Sequence, residues 1–162
     1  MSRIFFDYST MVAFNGHPTG IPRTVQELAN AFKNAQEEIR FVAQNDEMRD
    51  FRDYDLTAQK FGAIADMREG DWLLSTSAGW AFSNYNEKVR RLTIKGVRYT
   101  QLYYDIIPYI FPHFYKDSGF GDYFRKWTLE NFHLCTRALF ISQCSRDDII
   151  RSCVDGKPSI PL

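Results

Sequence analysis

A chain of 162 residues can bury one sizeable core but not comfortably two. Its 44% hydrophobic and 25% charged residues are ordinary globular composition and exclude a disordered chain. Lysine plus arginine, 20, balance aspartate plus glutamate, 20, which leaves no basic excess for nucleic acid.

The start, "MSRIFFDYS", is too short in its apolar part for a signal peptide, and every apolar run falls far short of a membrane span. Residues 3–8 read as a buried strand. Ile21, Val25, Leu28, Ala29 and Phe32 then recur at helical spacing and predict an amphipathic helix over 20–34. A second strand fits 38–43, while 44–70 is polar, charged and irregular, a long loop of the kind that is often functional. "DWLLSTSA", 71–78, is the third strand, and Asn84 to Lys95 a helix closed by Gly96. "VRYTQLYY", 97–104, is the fourth strand. Phe120, Phe124, Trp127, Asn131 and Leu134 mark a helix after Asp117-Ser118-Gly119. "RALFIS", 137–142, is the fifth strand, and a short helix runs from Ser142 to Asp155. Strands alternating with helices predict an α/β fold: a Rossmann-like parallel sheet of about five strands with helices on both faces. The closing "PSIPL" reads as the beginning of a further strand.

In such a sheet ligands bind beyond the carboxyl ends of the strands, so the site must come from the loops there. The first is "GHPTGIPRT", Gly16 to Thr24. A helix start offers unpartnered N–H groups to an anion, the glycines permit close approach, and Arg23 can fork onto phosphate oxygens. The competing reading is a plain turn with a solvated Arg23, since neither a dinucleotide nor an ATP fingerprint is met. The second is "YYDIIPYIFPHFY", Tyr103 to Tyr115. Asp105 directly follows the fourth strand, where a carboxylate can orient a hydroxyl or take its proton, or simply close an Asx-turn. The aromatic residues Tyr104, Tyr109, Phe111, Phe114 and Tyr115 suit stacking on sugars or lipids as well as core packing. His113 is a polar rim residue or exposed, and His133 is structural.

Other candidates are weaker. "DYD", 53–55, would be a metal-binding D-x-D only at a strand end, and a solvated loop is the preferred reading. Lys88, Arg90, Arg91, Lys95 and Arg98 are cations expected near a helix C-terminus, although docking on a membrane surface would use the same face. Cys135, Cys144 and Cys153 form no CxxC and cannot all pair, which points to a reducing cytoplasm. Cys144 and Cys153, nine residues apart, fall on opposite sides of a helix and share no metal.

Taken in order, "PTGIPR", "YYDIIPYIFPHFY" and "FRKWTLENFHLCTRALFISQCSRDDI" resemble the amino-terminal domain of family 4, GT-B-type glycosyltransferases, across nearly the whole chain. The resemblance implies nucleotide-sugar-dependent, retaining transfer without an obligatory metal or other cofactor, in cell-surface glycan assembly. The cleft would lie between two Rossmann-like domains, this one on the acceptor side. Gly20, Ile21 and Arg23 would then face the donor diphosphate, and Asp105 would be the catalytic acceptor-side carboxylate. Tyr104, His113 and Ser142 would bind a sugar or lipid-linked glycan acceptor. Tyr104 stands where many relatives have His, which removes an imidazole base from that position. The second, nucleotide-binding half with its Glu-x7-Glu motif is not in these 162 residues, so the chain is expected to be inactive alone. The expected location is the cytoplasm, peripherally at the inner face of the membrane. The alternatives are a non-catalytic glycan- or protein-binding module built on 103–115, and a flavodoxin-like or receiver-like signalling domain. The last would want an acidic pair after the first strand, where Asp7 is single, and a lysine after the fifth, where Ser142 stands.

Overall fold

The computed structural model describes residues 2–34, 38–115 and 119–153. The strands are β1 (Ile4–Asp7), β2 (Ile39–Ala43), β3 (Arg52–Asp55), β4 (Lys60–Ile64), β5 (Trp72–Ser75), β6 (Arg98–Tyr103) and β7 (Arg137–Phe140). They form one sheet in the order β4-β3-β2-β1-β5-β6-β7. The run β2-β1-β5-β6-β7 is parallel throughout, whereas β3 and β4 are antiparallel to their neighbours. The chain is therefore a Rossmann-like α/β fold, with all five expected strands in a doubly wound order.

The sheet has seven strands rather than five. The two extra ones form a hairpin within 44–70, the stretch read as an irregular loop. Their pattern hid them, because neither face of the hairpin is an apolar stripe and β4 is mostly exposed. The hairpin pairs with β2, Asp53 meets Arg40 at 2.6 Å, and local contacts add to this. Tyr54 pairs opposite Phe61 with ring centroids 5.3 Å apart, and Asp55 Oδ1 accepts the N–H groups of Thr57 and Ala58 at 2.8 and 2.9 Å.

The helices are α1 (Ser9–Ala13), α2 (Ile21–Asn34), α3 (Tyr85–Ile94), α4 (Ile107–Ile110), α5 (Phe120–Leu134) and α6 (Gln143–Cys153), with 3₁₀ turns at Gly79–Ala81 and Pro112–Phe114. Alternation along β1 divides the core. Phe6 meets Val25 and Ala29 of α2 on one face, while Phe5 joins Tyr85 and Val89 of α3, and Phe124 and Trp127 of α5, on the other. α3 ends as its sequence predicts: Gly96 has φ +82°, its N–H reaches Thr93 O, and Val97 N–H reaches Leu92 O at 3.1 Å, a Schellman closure. At the β7 edge Leu139 and Ile141 remain about half exposed, on the opposite face from Ala138. Residues 117 and 118, the predicted end of α6 at Asp155 and the "PSIPL" tail lie outside the described residues. Among the described residues no helix is long and apolar enough to cross a membrane.

Candidate functional site

β1 connects to β2 on one side, and the chain later crosses to β5 on the other. The topological switch point therefore lies beyond Asp7 and Ser75, where doubly wound sheets place their ligands. Buried polar side chains concentrate there. Asp7, Ser9, Gln44 and Ser75 are all fully buried, and Thr76, Ser77 and Gln101 are nearly so.

These groups make two different arrangements. The first is a closed network on Asp7. Its Oδ1 accepts the Ser9 N–H at 2.9 Å and the Ser9 hydroxyl; its Oδ2 accepts the hydroxyls of Ser75 at 3.1 Å and Tyr85 at 2.5 Å. The Ser77 hydroxyl donates to the Asp7 carbonyl, and Ser9 Oγ accepts the Gln44 N–H. Burial, with the Asp7 carboxylate beside it, holds the Tyr85 phenol well above its ordinary pKa, so Tyr85 stays a donor. Every Asp7 oxygen is occupied, and the network pins β1 to β5.

The second arrangement is a cavity of about 200 Å³ beyond the ends of β5 and β6. Ile21 enters it from the first turn of α2, and Tyr104 and Asp105 enter from the end of β6. The fold thus brings "GHPTGIPRT" and "YYDIIP" to one place. Trp80, Phe120 and Phe124 form an aromatic wall with centroids 5.7 to 5.9 Å apart, and Tyr115 leans on Phe120 at 5.2 Å. Gly79 permits this packing: a Cβ there would lie 2.8 Å from the Tyr85 ring and 2.9 Å from Trp127. Ser77, Gln101 and Thr128 supply polar lining. A neighbouring hollow of about 320 Å³ shares Ile21 and Trp80 and runs under Phe14 and Pro22.

Each expected site residue can now be placed. Gly20 has φ +57°, a conformation that suits glycine, and its carbonyl accepts the N–H and hydroxyl of Thr24. A Cβ on Gly20 would meet nothing, so the glycine is required by its backbone angle rather than by crowding. With Pro22 lacking an N–H and Thr24 bonded back, Ile21 and Arg23 supply the free donors of that turn. Arg23 makes no ion pair or hydrogen bond among the described residues. The Tyr104 hydroxyl donates to Thr76 O at 2.9 Å. Burial pushes its pKa up to about 12, against a smaller lowering by Thr24, so it is a neutral donor and no base at pH 7.

Asp105 closes the expected Asx-turn and also borders the cavity. Oδ1 closes an Asx-turn by accepting Ile107 N–H at 2.9 Å, while the exposed carboxylate lines the cavity with Oδ2 free of protein partners among the described residues. Among the described residues it is the only carboxylate of that lining.

His113 and Ser142 are not in the cavity. His113 packs on Phe114 at 4.4 Å within an exposed aromatic patch. Ser142 Oγ accepts Ser145 N–H at 3.1 Å and so caps α6; Ser145 in turn donates to Tyr104 O.

The remaining candidates disperse. Asp53 of "DYD" lies in a strand and pairs with Arg40 at 2.6 Å, so the loop reading of that triplet is replaced by β3. The basic cluster is not one face. Lys88 is buried, donating to Gln44 Oε1 and to Asn45 O, Arg90 and Arg91 pair with Glu87, and Arg98 lies over the Trp72 ring. Burial lowers the Lys88 pKa. Burial also raises Cys135 to about 12 and Cys153 to about 11, which makes both poor nucleophiles at neutral pH. Among the described residues no group of three or more His, Cys, Asp or Glu could hold a metal ion. Sequence reasoning missed the Asp7 network, Gln101 and Thr128. The one available signal was an acid ending an otherwise apolar strand.

Comparison with protein-family models, with curated proteins and with solved structures finds no match for this chain.

Proposed function

We propose that this chain is the acceptor-side domain of a nucleotide-sugar-dependent glycosyltransferase of GT-B type, acting in surface-glycan assembly. The observation that carries the reading is the shared cavity. Ile21 of the glycine loop, Tyr104 and Asp105 converge on one aromatic-walled hollow beyond the carboxyl ends of β5 and β6, next to the switch point of a doubly wound sheet. In this reading the acceptor, a sugar or a lipid-linked glycan, occupies the hollow with a hydroxyl directed at Asp105 Oδ2. The Ile21 and Arg23 N–H groups and the Arg23 guanidinium meet the donor diphosphate, which a nucleotide-binding half holds. The transfer is retaining and needs no metal. The domain alone is silent, because the charge developing on the leaving diphosphate is stabilised chiefly by that second half. The enzyme works in the cytoplasm at the inner face of the membrane.

Titration of the chain with saccharide acceptors and with UDP- and GDP-sugars, followed by backbone NMR, tests the reading. Saccharides should shift the Tyr104 and Asp105 amides, whereas nucleotide sugars should bind weakly or not at all. In a protein that joins this domain to a nucleotide-sugar half, Asp105→Asn should lower kcat by about 10²-fold or more. Tight nucleotide-sugar binding by this chain alone, or full transfer by Asp105→Asn, would overturn the assignment.

The exposed patch of Phe111 (43%), Phe114 (69%) and Tyr115 (36%) favours a second reading, a non-catalytic module that binds a glycan or protein through α4 and the following turn. It would leave binding intact in Asp105→Asn and abolish it in Phe114→Ala.

A further inference from the structure

We propose that β6 and β7, on the face of the sheet that carries α2, are the floor of a docking groove for one amphipathic helix of a partner protein. That helix lies antiparallel to the strands, and its C-terminal turn bears a carboxylate that meets Arg98 and Arg137.

The sheet register defines the groove. Phe6, Leu74, Thr100 and Arg137 stand in one row across β1, β5, β6 and β7, and Ile4, Trp72 and Arg98 share the same face two residues earlier. α2 packs on Phe6 and Leu74 of that face. The helices α3, α5 and α6 pack on the other face, with Phe5, Ala138 and Ile149. Over β6 and β7 the α2 side is left bare. Leu139 is 45% and Ile141 57% exposed, and among the described residues neither they nor Trp72 and Leu102 belong to either core cluster. Parallel sheets are almost always covered by helices on both faces, so this strip lacks a layer that such a sheet ordinarily has.

Its width suits one helix. Neighbouring strands lie ~4.8 Å apart and a helix is ~10–12 Å across, so a single helix beside α2 covers both strands. α2 stands as one wall of the groove, and a bilayer, flat on this scale, would meet α2 before it reached the strand floor.

Charge gives the helix its direction. Arg98 and Arg137 begin β6 and β7, and each guanidinium lies 5.3 Å from the centroid of the Trp72 ring. Neither makes an ion pair among the described residues. The acids near that end of the sheet are engaged elsewhere: Asp66 with Arg3, Arg40 and Arg68, and Asp71 with Arg3. Arg3 and Arg40 lie over the Phe5 ring, on the opposite face. A helix antiparallel to the strands, as crossover helices are, brings the negative end of its dipole and its last free carbonyls to Arg98 and Arg137. A carboxylate in that turn gains two cations. A second copy docked face to face offers none, since the strip holds only arginines, Thr100, Trp72 and aliphatic residues.

The test uses three synthetic helical peptides of about 18 residues, each with one leucine stripe and one glutamate pair, placed in the first, middle or last turn. Binding to the whole chain is read by NMR at the Trp72 indole N–H and at the Leu139 and Ile141 methyls. The last-turn peptide should bind tightest, about 5-fold better than the first-turn one. Replacing both arginines, Arg98→Gln with Arg137→Gln, should erase that preference. Ile141→Asn, at a side chain more than half exposed and so of little weight in the fold, should weaken all three peptides about 10-fold. If no peptide moves these signals, or if all three bind the parent alike, the proposal falls. It falls too if phosphatidylglycerol vesicles move the Leu139 and Ile141 methyls where the peptides do not. A dimer that buries those methyls, or their contact with residues 154–162 of the same chain, would equally overturn it. None of these outcomes bears on the glycosyltransferase reading, which rests on the cavity.

Discussion

Two polar clusters lie beyond the carboxyl ends of the same strands and behave oppositely. Around Asp7 every carboxylate oxygen has a donor, the donors come from β5, α1 and α3, and Asp7 is not among the residues lining the hollow beyond β5 and β6. Around Tyr104 and Asp105 the side chains line a hollow, and one Asp105 carboxylate oxygen has no partner among the described residues. A saturated buried network contributes to holding the fold, because each group has already exchanged water for protein. An unsaturated one beside a cavity is a place for a ligand. Position beyond the strand ends alone does not separate the two; a hollow with a carboxylate oxygen left without a partner among the described residues does.

That contrast can be broken first at Asp7. Asp7→Ala leaves the Ser75 and Tyr85 hydroxyls and the Ser9 N–H without their acceptor in a dry interior, and should cost about 3–5 kcal/mol in denaturant unfolding. Tyr85→Phe removes one of those donors and should cost about 1–3 kcal/mol. If either variant instead lost saccharide binding while keeping its stability, the network would belong to the site. A loss of similar size is expected from Gly79→Ala, about 1–3 kcal/mol, since the new methyl meets the Tyr85 and Trp127 rings below 3 Å. Gly79 touches both clusters, so its variant should also weaken any ligand of the cavity.

Acid provides a control remote from both. Burial works against the Asp71 carboxylate, but the Arg3 guanidinium and the N–H groups of Arg68 and Arg3 outweigh it and hold its pKa at about 2. The folded pKa lies below the unfolded value of about 3.9, so the stabilisation is complete above pH ~4 and is lost as pH falls toward 2. About 2 kcal/mol should disappear over that window, and Asp71→Asn should flatten the curve there. An unchanged acid limb in Asp71→Asn would assign the acid loss to other carboxylates. The smallest stability change is expected at Thr128→Val, neutral or stabilising by up to about 1 kcal/mol, since it removes a buried hydroxyl that has no partner among the described residues.

The parallel strands were legible because each is a short apolar run bounded by turn residues, as in "RIFFD" and "WLLS". The hairpin was not, since it is held by pairing with β2, the Arg40–Asp53 ion pair, the Tyr54–Phe61 contact and an Asp55 turn rather than by an apolar face. Tyr104, Asp105 and Ile21 could be placed at the site because a residue directly after a parallel strand, or opening the helix that follows, has few places to go. Ser142 was legible to the same degree and turned out to cap α6, so strand-end position identifies candidates without separating caps from ligand contacts. Thr128 and Trp127, which line the cavity, could not be singled out, and in sequence Trp127 is part of the apolar stripe of α5.

The most direct test of the account is a crystal structure of the chain soaked with methyl hexosides. The account expects density for a sugar ring against Trp80, with one hydroxyl within hydrogen-bond distance of Asp105 Oδ2. A cavity filled only by water at saturating sugar, or sugar bound solely on the Phe111–Phe114 patch, would contradict it.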